Sequence, residues 1–299
     1  MACMSICVSR MFTSNGDQTA TPAVRSSLGR SNRPKDFPMT PSYKTAYETV
    51  LFDVADHIAT ITLNRPEVMN CFNQQMLDEF REIWRICRHE DDIHAVVLRA
   101  AGERAFSTGV DRKLGRFRHP NPLSEDDPGF WLGAKQNRVW KPLILAIHGL
   151  FAGGAFYWLN ECDVAICSED ATFFDPHTTY GMASALEPAA LLRRIPFGEV
   201  MRIALFGNEE RLSAARALSI GLVTEVMPRE QLWDRAHTLA ARLAEKPPLA
   251  VQGTVKAVWD SLSMTIEASR SVPLMYTQLI NEKTKLGFAS GAERTWEIR

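Results

Sequence analysis

The sequence predicts an α/β chain that turns almost wholly helical after residue 187. Three observations predict it. Two short, nearly continuous apolar runs, Ala95–Ala100 (AVVLRA) and Pro142–His148 (PLILAIH), have the character of strands covered on both faces. Stretches of helical spacing separate such runs, so strand and helix alternate in the order of a βαβ build. Beyond residue 187, helical stretches follow one another with one short strand, Val223–Val226, among them.

The elements follow in order. Thr49–Asp53 and His57–Leu63 read as short strands, the second alternating and rich in β-branched residues before Asn64-Arg65-Pro66 stops it. Asn73 is placed to cap a helix over 74–88, whose apolar positions Met76, Leu77, Phe80, Ile83, Trp84 and Cys87 share one face. The strand Ala95–Ala100 comes next. Residues 116–135 carry Pro120, Pro122, Pro128 and Gly129 and read as a loop. The strand at 142–148 leads into a helix over 153–160, then strands at Asp163–Cys167 and Thr172–Phe174. Helices are expected over 187–194, 199–206, 213–219, 230–245, 249–261 and 265–287.

Residues 1–42 stand apart. They are rich in Ser, Thr, Pro, Asn and Arg and lack periodicity, so they cannot bury enough apolar surface to offset their ordering entropy. A disordered tail is expected, or a start of translation near Met39; an organellar transit peptide has a similar composition.

Over all 299 residues, 45% are hydrophobic and 23% charged, with a net charge of −1. That balance supplies no general field for nucleic acid or anionic lipid. No apolar run approaches a membrane span. Six scattered cysteines, with Cys162 and Cys167 in an apolar setting, read as reduced thiols of a cytoplasmic protein.

G-x-S-x-G, G-x-x-x-x-G-K-[ST] and H-E-x-x-H are all missing from the sequence. No metal site is expected, since His89 and His94, the closest histidine pair, lack the one-turn spacing of two ligands on a helix. Two glycine turns stand out instead. Ala105-Phe106-Ser107-Thr108-Gly109-Val110-Asp111 follows one buried strand. His148-Gly149-Leu150-Phe151-Ala152-Gly153-Gly154-Ala155 follows the other. Such turns present unpaired backbone N–H groups, and two on neighbouring strands could aim donors at one oxygen.

With Ile61-Thr62-Leu63-Asn64-Arg65-Pro66 and the stretch Ser213–Val223 (SAARALSIGLV), these turns resemble the crotonase (enoyl-CoA hydratase/isomerase) superfamily from about Tyr47 to Phe288. The resemblance implies a spiral of ββα units over 43–229 and a helical C-terminal region, 230–299, that joins subunits into a homotrimer or a dimer of trimers. It implies an acyl-CoA thioester substrate and no cofactor beyond the coenzyme A of that substrate. The Val110 and Gly154 N–H groups would form the oxyanion hole. Arg65, Val68, Met69, Thr108, Gly109, Lys113 and Gly153 would line the CoA and substrate path.

The sequence departs from the hydratase pattern at both expected glutamates. Tyr157 and His177 stand at those positions, and Ala155 replaces a glycine. Tyrosine, with an ordinary pKa of about 10, is a poor base at neutral pH, whereas histidine at about 6.5 is well placed. His177 is therefore the candidate base and Tyr157 the candidate donor. Glu187 or Asp175 could orient His177. Three functions follow: an enolate-stabilising hydratase or isomerase; a thioester or C–C hydrolase using a His177–Glu187 or His177–Asp175 pair; and a non-catalytic acyl-CoA-binding protein.

Overall fold

The computed structural model describes residues 47–114, 121, 123, 127–283, 297 and 298. The expected 1–42 tail lies outside them. The chain opens with strands β1 (Val50–Ala55) and β2 (Ile58–Leu63), paired antiparallel. Their two-residue link, Asp56-His57, has φ of 50° and 64°, the left-handed pair that matches strand twist. Helix α1 (Gln74–His89) follows, with the Asn73 side chain accepting from the Met76 N–H at 3.0 Å.

From there the chain alternates between two sheets. Strand β3 (Ala95–Ala100) is followed by β4 (Ala105–Ser107) and the short helix α2 (Gly129–Leu132). Strand β5 (Leu143–Ile147) is followed by β6 (Leu150–Ala152) and α3 (Phe156–Glu161). Strand β7 (Val164–Ser168) is followed by β8 (Thr172–Phe174), α4 (Leu186–Leu191) and α5 (Phe197–Phe206). After β9 (Leu212–Ser213) and α6 (Ala214–Ser219) come β10 (Glu225–Met227), α7 (Arg229–Ala244), α8 (Pro248–Ser261) and α9 (Ile266–Lys283). A six-stranded sheet has the order β1-β2-β3-β5-β7-β10, and a four-stranded sheet the order β4-β6-β8-β9. Each turn of the chain thus lays one strand in the larger sheet and the next in the smaller, which is the expected α/β spiral.

The continuous apolar strands are explained by what covers them. Val96 and Leu98 of β3 join a core with α1, α3 and the small sheet, while Ala95 and Val97 face α7. Side chains alternate along a strand, so a strand covered on both faces is apolar along most of its length; in β3 the exception is the half-buried Arg99, which donates to Thr62 Oγ1 at 3.0 Å. On α7, Leu232, Ala236 and Ala240 are fully buried, one turn apart, and the alanines let the helix lie close to the sheet. The predicted face of α1, Met76 to Cys87, is buried throughout.

Several expectations need correcting. The two segments read as turns, at 105–111 and 148–155, each contain a three-residue strand, and these build the second sheet. Three residues are too few for a period of two to show. The helix expected from 153 begins as a 3-10 turn, Gly153–Ala155, before α3. The expected 116–135 loop contains α2. The strand expected at 223–226 lies at Glu225–Met227, and the helix expected at 187–194 spans Leu186–Leu191. The last helix is described to Lys283; residues 284–287 lie outside the described set. Cys87, Cys162 and Cys167 are buried free thiols, but Cys71 is only partly buried. No helix among the described residues is long and apolar enough to cross a membrane.

Candidate active site

Strands β4, β6 and β8 lie side by side in the small sheet, so the segments leaving their C-terminal ends converge. The first is the Gly109 turn. Gly109 has φ of +87°, a conformation that disfavours side chains, and a Cβ there would lie 2.7 Å from the Gly154 nitrogen. The two backbones meet because neither carries a side chain at that point. Phe72 N–H donates to Gly109 O and Asp111 N–H to Phe72 O, both at 2.8 Å. In such a parallel bridge the intervening Val110 N–H points away from Phe72. The Gly154 N–H belongs to the first turn of the helical segment after β6, where amides lack intrahelical acceptors. Phe72 fills the space a Cβ on Gly154 would occupy, 2.6 Å from its Cε1.

Tyr157 sits on α3 one turn beyond Gly154, its ring 3.5 Å from the position of a Gly154 Cβ. Its phenol faces the Glu187 and Asp127 carboxylates. Burial, followed by those two negative charges, pushes its pKa above the ordinary tyrosine value, so it holds its proton and donates.

His177 follows the end of β8. Its Nδ1 contacts Asp175 Oδ1, and its own N–H donates to the same oxygen at 3.2 Å. Asp175 is 1% exposed and also accepts from the Ser184 hydroxyl. On the other side of the ring, His177 Nε2 lies 3.9 Å from Oε1 of Glu187, which is 5% exposed on the first turn of α4. The hydrogen bond to Asp175 raises the His177 pKa, and burial only partly opposes it. Burial raises that of Glu187. Gly153 completes the arrangement, since a Cβ there would be 3.9 Å from His177 Cε1.

Sequence reading offered Asp175 and Glu187 as alternative partners of His177; the structure places both against it, one at each nitrogen. The three residues offer ligand atoms within 4.8 Å of one another, a set able to hold a cation. Here His177 and Ser184 bond Asp175 instead. Asp127 and Ser184 escaped the sequence reading because both lie in segments without periodicity.

The comparisons with known proteins are consistent in direction. Residues 53–296 match the enoyl-CoA hydratase/isomerase family. The chain belongs to this family. It is 34% identical over 257 residues to an (E)-benzylidenesuccinyl-CoA hydratase of Thauera aromatica, covering 82% of this chain and 96% of that one. It is 26% identical over 227 residues to a short-chain-enoyl-CoA hydratase of Clostridium acetobutylicum, covering 74% and 84% of the two chains. A crystal structure of an enoyl-CoA hydratase/isomerase from Mycobacterium paratuberculosis superposes with a TM-score of 0.72 at 30% identity, covering 79% of this chain and 90% of that one.

Among the residues expected on the CoA path, Val68, Met69 and Thr108 lie together, and Arg65 differs in direction. Met69 O accepts from Thr108 N–H at 3.2 Å, and Val68 closes the adjoining 3-10 turn. Lys113 is exposed. Arg65 turns inward: it pairs with Asp111 at 3.0 Å and donates to Cys71 O at 2.5 Å. Its guanidinium is occupied in holding the Val68–Met69 loop against the Gly109 turn, which leaves Lys113 as the outward cation of the two. Lys113 N–H and Arg65 hold the Asp111 carboxyl below the usual carboxylate range.

Proposed function

We propose that the protein adds water to, or moves a proton within, a 2-enoyl-CoA thioester by stabilising its enolate. The observation that carries this is the close approach of Gly109 to the Gly154 nitrogen beside the His177 cluster. In this reading the Val110 and Gly154 N–H groups bind the thioester oxygen as it gains charge; backbone donors are fixed in advance and need no reorganisation. His177 is the base. A proton on Nδ1 shared with Asp175 leaves Nε2 free to accept one. Its 3.9 Å separation from Glu187 is a gap that one water spans. Water attacks C3 as His177 takes its proton, and C2 receives a proton from Glu187 or Tyr157. Glu187 thus supplies the second acid–base group that the missing glutamates leave open. Thr108, Val68, Met69 and Lys113 are assigned to the CoA moiety, and Gly153 to the room beside His177. Coenzyme A enters only as part of the substrate.

The names of both relatives, hydratases of CoA esters, support hydration. A second reading, thioester hydrolysis by the same water, draws on the Asp175–His177 contact, which has the form of a water-activating pair. Product identification on a panel of 2-enoyl-CoA esters separates them. We expect 3-hydroxyacyl-CoA or a shifted double bond; release of free coenzyme A points to hydrolysis, and no turnover at all would refute an enzymatic role. The homotrimer or dimer of trimers expected from the resemblance finds support in α8 and α9, which bury no residue and expose Leu249, Val258, Leu274 and Leu279.

The pH profile tests the base. Asp175 raises the His177 pKa, so Asp175→Asn should lower it. If His177 must be neutral to act, activity falls below that pKa. The acid limb of the kcat/KM profile should therefore move to lower pH in Asp175→Asn, alongside a lower rate. An acid limb that stays in place would remove His177 from the base role.

A further inference from the structure

We infer that the cavity beyond Tyr157 selects acyl groups bearing a second carboxylate, and that Arg193 is the residue that recognises it. The inference rests on the acyl-CoA reading above. The cavity holds about 430 Å³ and has Tyr157 in its wall, so it begins where the reacting carbons would lie. Phe130 and Trp259 give it apolar surface, while Asn160, Glu161 and Arg193 line it as well. A straight hydrocarbon chain would bury those polar groups without partners, which is unfavourable.

Among the described residues, the polar groups leave one cation outside any ion pair. Asn160 is 7% exposed; its Nδ2 donates to Glu187 O at 3.0 Å, but its Oδ1 is buried with no partner. That acceptor awaits an N–H of the arginine or a water brought by the ligand. Glu161 accepts from the Lys135 and Gln136 N–H groups at 2.6 and 2.8 Å. Burial pushes its pKa up to about 7, so near neutrality it is partly protonated and able to donate. Lys135 is tied to Asp163 at 2.8 Å. Asp127 accepts from Gly129 N–H at 2.8 Å and faces the Tyr157 phenol. Arg193 is in none of the ion pairs found among the described residues. Its charge acts on the neighbouring Glu161 carboxyl, but with that group partly protonated the guanidinium is left to meet a ligand carboxylate with two parallel hydrogen bonds.

Binding of saturated esters tests this without turnover. Titration calorimetry of the full chain with adipoyl-CoA, hexanoyl-CoA and 6-hydroxyhexanoyl-CoA compares one chain length with three ends. We expect adipoyl-CoA to bind at least about tenfold more tightly than the other two, and Arg193→Met to bring adipoyl-CoA to the level of hexanoyl-CoA. Arg193→Lys should keep part of the preference. Equal affinities in the wild type, a preference that survives Arg193→Met, or tightest binding of the hydroxy ester would overturn the assignment. Failure of the enolate reading shows separately, as absent turnover of every enoyl ester.

Discussion

Substituting His177 with Ala is expected to lower kcat by about 10²–10⁴-fold, the range for removing a positioned general base. KM should change little, because the imidazole meets the water and not the body of the CoA ester. Three neighbours define what is lost. Asp175 holds Nδ1, Glu187 faces Nε2, and Gly153 leaves space beside the ring. Removing the ring leaves the two buried carboxylates without the base between them and without the partial positive charge that tempers their repulsion. Part of the activity should return with added imidazole, which a merely structural loss would not show. Steady-state kinetics of an accepted enoyl-CoA reads this directly, and unchanged turnover in His177→Ala would remove the base assignment.

Replacing Gly109 with Ala should lower kcat by about 10²–10³-fold, as for loss of one oxyanion donor. Two effects act together. The φ of +87° strains any side chain, and the new Cβ would sit 2.7 Å from the Gly154 nitrogen. One of the two backbones must give way, and either movement displaces an N–H from the shared oxygen. The strain should also cost about 1–3 kcal/mol of stability, visible as a lower melting temperature. Circular dichroism and CoA-ester affinity then separate a misplaced donor from an unfolded chain. Native kcat in a folded Gly109→Ala protein would contradict the oxyanion assignment.

How much could be read in the sequence depended on the range of the interactions. Helix α1 was legible because six apolar side chains on one face meet the same core, and Asn73 marks its start. Strand β3 was legible because both of its faces are covered, which leaves an apolar run broken only by Arg99. Strands β4 and β6 were not, since three residues carry no measurable period and their glycine neighbours signal a turn. Tyr157 and His177 were found because they stand where the resembled family carries its two glutamates, and Glu187 because it starts a helix ten residues after His177. That Asp175 and Glu187 both reach His177 was not legible, because it depends on how the 178–186 loop returns α4 to the end of β8. Arg65 shows the same limit at a single side chain. Its position in the loop was legible, but its turn inward to Asp111 follows from tertiary packing.

The central claim is that two backbone amides and His177 act on a thioester enolate. Deuterium incorporation at C2 of a saturated acyl-CoA in D₂O measures that step alone, whatever reaction completes the cycle. The account predicts that the wild-type protein exchanges the C2 proton, and that exchange drops to background in both His177→Ala and Gly109→Ala. A protein that binds the ester without exchanging, or one whose exchange survives the loss of His177, would contradict it.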